Sequence, residues 1–170
     1  MASLEFLAII LTGLGLTTSI IYYASILRNA NETQKMQLET RQTQLFMYLY
    51  DKFCSESFKR SYFEVMSWEW DDVDDYFEKY GPLTNPENEI KRQNVGSFFE
   101  GLGVLVKNKQ ISSELVDDLM SYLILTYWEK FEPITKEIRV KMNYPNFGEW
   151  VEYLYSEVKL IAEKQHLEYR

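Results

Sequence analysis

The chain has 170 residues, enough for a membrane segment and one folded domain but too few for two cores of ordinary size. It carries 26 acidic and 18 basic side chains, and the net charge of -8 belongs entirely to residues 51–170. A domain this acidic repels phosphate backbones, which excludes nucleic acid as a favoured partner, and the single cysteine, Cys54, excludes an intramolecular disulfide.

The first predicted element is an uncharged segment of 22 residues from Phe6 to Leu27. As a helix it would cover about 30 Å, the thickness of the bilayer's hydrocarbon core. An export signal is not favoured, because the preceding Glu5 is acidic and Ala24-Ser25 leads directly into more apolar residues. A soluble core helix would need a polar face, and only a few hydroxyl side chains are present. We therefore predict a transmembrane anchor over residues 1–28, with the lipid bilayer as a partner.

Basic residues after the segment predict its orientation. Arg28, Lys35 and Arg41 follow the apolar run, whereas no basic side chain precedes it. By the positive-inside rule the N-terminus lies outside the cell membrane and the C-terminal domain is cytoplasmic.

Small residues in the anchor, Gly13, Gly15 and Ser19, would allow another membrane helix to approach closely. Glycine is also common in membrane helices without such a role, so both interpretations stay open.

The remainder of the chain predicts further helices and no strand. Residues 29–44 lack Gly and Pro and are expected to form a helical stalk, after which apolar side chains recur at helical spacing through residues 45–170. The predicted helix starts are Ser55 or Ser57, Pro86 after Asn85, and Ser112 or Ser113. The first of these helices is expected to run to about Trp70, and the last helix is expected to begin near Trp150.

Pro133 is expected either to kink a long helix or to begin a new one. The predicted fold is all-α: a single transmembrane helix continuing through a stalk into a cytoplasmic bundle of about four to six helices.

One acidic residue of the bundle, Glu100, is expected to need an oppositely charged partner. Glu100 lies within the apolar segment VGSFFEGLGVLV, where an unpaired carboxylate would be costly to bury. Arg139 is the predicted partner, because a guanidinium can donate two parallel hydrogen bonds to a carboxylate. The pair would fix the helix register, or alternatively form the polar centre of a ligand site.

A candidate partner surface combines two tryptophans with an acidic run. Its residues are Trp68, Trp70, Asp71, Asp72, Asp74 and Asp75. Exposed tryptophans often anchor protein interfaces, although aromatic residues at helical spacing more commonly pack in a core. The acidic run lacks the spacing of a calcium-binding loop, so no metal site is predicted.

Catalysis is not predicted. The sequence contains one histidine, no nucleophile and base at motif spacing, and no glycine-rich cofactor loop. We expect neither a catalytic residue nor a cofactor.

The runs NVGSFFEGLGVLVKNKQISSELV and YWEKFEPITKEIR, followed by an aromatic helix, resemble a family of helical domains of unknown function found in bacteria and archaea. The resemblance covers roughly residues 40–162 and matches at Glu100, Gly103, Trp128 and Arg139. It implies a bundle with one N-terminal membrane segment and no particular activity.

Two functions follow as hypotheses. The first is a non-catalytic accessory or scaffold protein that docks other membrane or cytoplasmic proteins at the inner face of the membrane. The second is a membrane-tethered sensor that binds a small ligand, which requires a pocket in the bundle.

Overall fold

A computed structural model describes residues 2–168 of the chain, which form six α-helices. They are α1 (Ala2–Cys54), α2 (Glu56–Ser67), α3 (Val73–Tyr80), α4 (Pro86–Lys107), α5 (Ser113–Lys141) and α6 (Glu149–Glu168). No strand occurs among these residues, so the predicted all-α fold is confirmed. The chain divides into two compact units, Met1–Gln44 and Leu45–Arg170.

The first unit is formed by α1. Its apolar stretch is long enough to cross a membrane, and none of that stretch is buried against protein. The hydroxyl groups within the stretch donate to backbone carbonyls one turn earlier, as in Thr12 to Ala8 and Ser19 to Gly15, both at 2.8 Å. These bonds satisfy the hydroxyl donors inside the helix, which is what a helix surrounded by hydrocarbon requires.

The second unit begins within α1, and three of its helices start where the sequence predicts. Ser55, Asn85 and Ser112 cap α2, α4 and α5, each accepting a hydrogen bond from the backbone N–H three residues later. Pro86 occupies the first turn of α4, where a missing backbone N–H has no cost.

Helix α2 ends at Ser67 rather than near Trp70, and a basic side chain explains the difference. The Lys130 ammonium donates to the carbonyls of Met66 at 2.9 Å and Trp68 at 2.6 Å. A cation at a helix C-terminus satisfies carbonyls that lack helical partners, so the chain can leave the helix here.

The structure also contains an unpredicted short helix and an unbroken long one. Helix α3 lies in the acidic segment, and Asp72 caps it. Helix α5 continues through Pro133, since the buried Ile134, Thr135 and Ile138 extend its packed face beyond the proline. Burial of that face outweighs the one hydrogen bond that Pro133 removes.

Helix α6 packs against both α4 and α5, and α2 packs against α4. The contact between α4 and α6 is close at Gly103, where a Cβ atom would lie 2.2 Å from the carbonyl oxygen of Trp150. The largest fully buried side chains are Trp128, Tyr76, Phe99, Leu102, Met120, Ile124 and Leu154. The buried apolar side chains form one hydrophobic cluster.

Candidate functional site

A cavity of about 360 Å³ lies between α4, α5 and the loop that joins α5 to α6. Its apolar wall comes mainly from α5, with Tyr127, Trp128, Phe131, Ile134 and Ile138. The mouth is lined by exposed residues, Gln93, Ser97, Tyr144 and Asn146. Small-molecule sites in proteins have volumes of about 300–1,000 Å³ and are lined in this way, by apolar walls with a few polar groups.

One face of α4 supplies the polar axis of the cavity. Arg92, Gly96 and Glu100 follow at four-residue intervals and all line the cavity. This spacing puts them on one side of the helix, with Arg92 and Glu100 about 12 Å apart along its axis. A Cβ atom on Gly96 would lie 3.1 Å from the Tyr127 hydroxyl, so the glycine makes room for that phenol between the two charges.

At the Arg92 end, a tyrosine hydroxyl is buried without a partner. Tyr76 is 2% exposed and lines the cavity, and its hydroxyl makes no hydrogen bond within the described chain. Burial raises the pKa of Tyr76 and raises that of Tyr127 to about 12, so both phenols stay protonated at neutral pH. Each phenol also interacts with the charge of Arg92. Three hydrogen-bond donors therefore share this end of the cavity.

Arg92 is held by Glu89, one turn earlier on α4. The Arg92 Nε donates to one carboxylate oxygen at 2.8 Å and an Nη donates to the other. Burial favours a lower pKa for Arg92, but the bonds to Glu89 raise it, and the same bonds lower the pKa of Glu89. Both groups remain charged, and the guanidinium also lies over the Phe147 ring at 5.8 Å. The Arg92 charge is therefore fixed in place and largely neutralised.

At the other end, Glu100 takes the place of a capping residue for α6. The backbone N–H groups of Trp150 and Val151, in the first turn of α6, hydrogen-bond to its carboxyl. The preceding Gly148 has no side chain with which to cap α6, and its φ of +71° and a Cβ that would lie 2.9 Å from Thr135 both favour glycine at this position. Burial raises the pKa of Glu100 and nearby Glu149 adds to the increase, while the helix N–H groups oppose it.

The predicted direct pair between Glu100 and Arg139 is not the contact that the structure forms. Arg139 donates to the Glu152 carboxylate and to the Phe147 carbonyl, each at 2.7 Å. Its remaining Nη is buried without a partner among the described residues, and its charge reaches Glu100 only as a weaker electrostatic interaction. The partner of Glu100 is the N-terminus of α6, which a sequence-based search for opposite charges does not consider.

The two tryptophans of the predicted partner surface are packed inside the unit. Trp68 is 5% exposed and stacks on Tyr80 with ring centroids 4.4 Å apart. Trp70 is half-buried between Tyr76 and Phe131, both at 5.2 Å. Neither ring is free to anchor another protein.

The acidic residues of that surface stabilise local structure. Asp72 accepts from the Asp75 N–H as the α3 cap, and Asp75 accepts from the Asp71 N–H and the Lys79 ammonium. Asp74 pairs with Lys141 of α5 at 2.8 Å. Within residues 2–168, no group of three or more potential acidic, histidine or cysteine ligands is arranged to hold a metal ion.

In the first unit, the predicted packing residues have open surroundings. A Cβ on Gly13 or Gly15 would meet no atom within 4 Å, and Ser19 is exposed. Their predicted role in packing against another membrane helix stays a prediction.

Comparison with protein families assigns the chain. A family model described as a domain of unknown function, DUF4760, matches residues 5–158. The chain belongs to this family. The DUF4760 match includes the apolar part of α1 as well as every cavity residue named above. No curated protein and no solved structure shows significant similarity to the chain.

Sequence reasoning missed Tyr76 and Arg92. Arg92 lies eight residues before Glu100, on the same face of a helix, and three residues after Glu89, so this spacing could have indicated its place beside both glutamates. Tyr76 lies in an acidic segment that gave no sign of a buried hydroxyl.

Proposed function

We propose that this DUF4760 domain is a membrane-tethered module that binds a small molecule in its bundle cavity. The observation that carries the proposal is the Tyr76 hydroxyl, buried in the cavity wall with no acceptor. Leaving such a donor unpaired costs about 1–3 kcal/mol, a cost that a bound ligand with an acceptor atom removes. The aromatic wall, the exposed mouth and the volume all favour an organic ligand of modest size.

The tether is the apolar stretch of α1, and its charge flanks favour a cytoplasmic bundle. Cys54 tests this orientation directly, because it is the single cysteine of the chain and is exposed. In intact cells a membrane-impermeant maleimide should leave Cys54 unlabelled until the membrane is permeabilised. Labelling of intact cells, with Cys54→Ser as the blank, would place the bundle outside.

Docking of other proteins is the second candidate function, although not through the predicted acidic surface. Two aromatic side chains, Phe63 of α2 and Tyr122 of α5, are 65% and 73% exposed. The two helices are linked by the Tyr62 hydroxyl of α2, which hydrogen-bonds to the Leu123 carbonyl and the Thr126 hydroxyl of α5. A scaffold should retain a stoichiometric companion in mild detergent and lose it on Phe63→Ser with Tyr122→Ser. Retention of the companion by that variant would remove this candidate.

Ligand binding can be tested by blocking the mouth of the cavity. Ser97 is exposed on α4 and lines the mouth, so Ser97→Phe should close it without disturbing the core. Ser156→Phe is the matched control, since Ser156 is exposed on α6 away from the cavity. The full chain in lipid nanodiscs is screened against a library of small polar metabolites by thermal unfolding.

We expect at least one compound to raise the melting temperature of the wild type and of Ser156→Phe, but not of Ser97→Phe. Compounds that stabilise all three proteins equally bind elsewhere. A screen in which no compound distinguishes Ser97→Phe from Ser156→Phe would contradict the proposal.

A further inference from the structure

We infer that the cavity selects a dipolar ligand, with an acceptor group such as a carboxylate at one end and an amine at the other. The inference rests on the proposed ligand-binding function and adds the chemical class of the ligand. It follows from the opposite polarity of the two ends of the cavity.

The Arg92 end of the cavity is rich in hydrogen-bond donors. Tyr76 contributes a hydroxyl without a partner, and Tyr127 and Arg92 contribute N–H and O–H groups beside it. The neighbouring Glu89 carboxylate is already engaged by both the Nε and an Nη of Arg92. A ligand group that accepts hydrogen bonds, as a carboxylate or carbonyl oxygen does, would use all three of these donors.

The opposite end offers acceptors. Glu100 and Glu149 both line the cavity near the first turn of α6. Two backbone N–H groups engage the Glu100 carboxyl, but each ionised carboxylate accepts several bonds, so capacity remains for a ligand donor. A protonated amine placed here would also offset the repulsion between the two glutamates.

Ligands with one charge fit poorly. Among the cavity-lining residues, Arg92 is the single cation and is already paired, while Glu100 and Glu149 are both acidic, so an anion gains no net attraction. A simple amine, in turn, leaves the Tyr76 hydroxyl unpaired. A ligand with both groups satisfies both ends and stays neutral overall, which suits a domain whose surroundings are acidic.

The walls between the two ends favour a flat apolar body. Trp128, Phe131 and Phe147 line this part. An aromatic ring of the ligand could pack against these side chains while its substituents reach the two polar ends.

Three probes with the same ring separate the contributions. They are 4-(aminomethyl)benzoate, which carries both charges, 4-methylbenzoate, which carries the carboxylate alone, and benzylamine, which carries the amine alone. Each is titrated into the full chain in nanodiscs, with tryptophan fluorescence as the readout, to which the cavity residues Trp128 and Trp150 contribute. We expect the doubly charged probe to bind at least about tenfold more tightly than either of the others, because only it engages both ends.

Two variants assign the ends. Tyr76→Phe should weaken 4-(aminomethyl)benzoate and 4-methylbenzoate about tenfold and leave benzylamine unchanged, while Glu100→Gln should weaken the two amines and leave 4-methylbenzoate unchanged. Unliganded melting temperatures show that each variant is folded, and Tyr76→Phe breaks no hydrogen bond of the unliganded protein.

Equal affinity for all three probes, or a uniform loss of affinity in both variants, would overturn the inferred ligand class. So would a complete absence of binding by 4-(aminomethyl)benzoate. In either case library compounds that still distinguish Ser97→Phe from Ser156→Phe would leave the proposed function standing, so the two failures can be told apart.

Discussion

Removal of the Tyr76 hydroxyl should leave the bundle as stable as before or make it more stable, whereas removal of the Tyr62 hydroxyl should weaken it. The two tyrosines are equally buried, at 2% and 3% exposure. The Tyr62 hydroxyl lies 2.6 Å from the Thr126 hydroxyl and 3.3 Å from the Leu123 carbonyl, whereas the Tyr76 hydroxyl has no partner in the described chain. The same substitution thus removes two hydrogen bonds in one case and none in the other.

The two variants should change the free energy of unfolding differently. Tyr62→Phe should cost about 1–2 kcal/mol, at about 1 kcal/mol for each net hydrogen bond. Tyr76→Phe removes an unpaired buried hydroxyl, whose burial costs about 1–3 kcal/mol, so its effect should lie between zero and a gain of that size. The two variants should therefore differ by at least about 1–2 kcal/mol, or several degrees in melting temperature for a domain of this size.

Urea unfolding of the full chain in nanodiscs measures this difference. All four tryptophans lie between residues 68 and 150, so their fluorescence reports on the second unit alone. Equal destabilisation by the two variants would show that Tyr76 has a hydrogen-bond partner, and would refute the argument that the cavity presents an unsatisfied donor.

Three further outcomes follow from the packing and the charges. Gly103→Ala should destabilise the bundle by about 1–3 kcal/mol in urea unfolding, because its Cβ would meet the α6 backbone. Gly101→Ala has open space around it and should raise the free energy of unfolding by about 0.5–1 kcal/mol. Equal effects of the two variants would contradict the close contact at Gly103. Arg139→Met should cost about 1–3 kcal/mol by leaving the Phe147 carbonyl unpaired, and an unchanged melting temperature would contradict this. Burial raises the pKa of Glu100 above its ordinary value of 4.5. The stability of the wild type should therefore fall relative to that of Glu100→Gln as the pH rises through the raised pKa. Parallel profiles of stability against pH for the two proteins, from pH 4 to 7, would refute this.

Local signals in the sequence predicted most of the fold. Capping residues such as Ser55, Asn85 and Ser112 act through a hydrogen bond to a backbone group three residues away, so their effect is visible in a short segment. The end of α2 was misplaced because it depends on Lys130, which is remote in sequence. The continuation of α5 through Pro133 likewise depends on packing between helices.

The candidate site was predicted only in part, for the same reason. Glu100 was recognised because a charge in an apolar segment is a local anomaly, but its partner is a helix N-terminus created by the fold. The predicted surface around Trp68 failed because composition does not show whether an aromatic ring faces solvent or the core. A cavity is a property of packing among several helices, and no single segment encodes it.

The most direct test of ligand binding in the cavity is a native mass spectrum of the full chain, released from detergent micelles after incubation with the metabolite library. We expect a one-to-one complex with a small molecule for the wild type and for Ser156→Phe, and the bare polypeptide for Ser97→Phe. A bare wild-type polypeptide, or equal occupancy of the wild type and Ser97→Phe, would contradict the account.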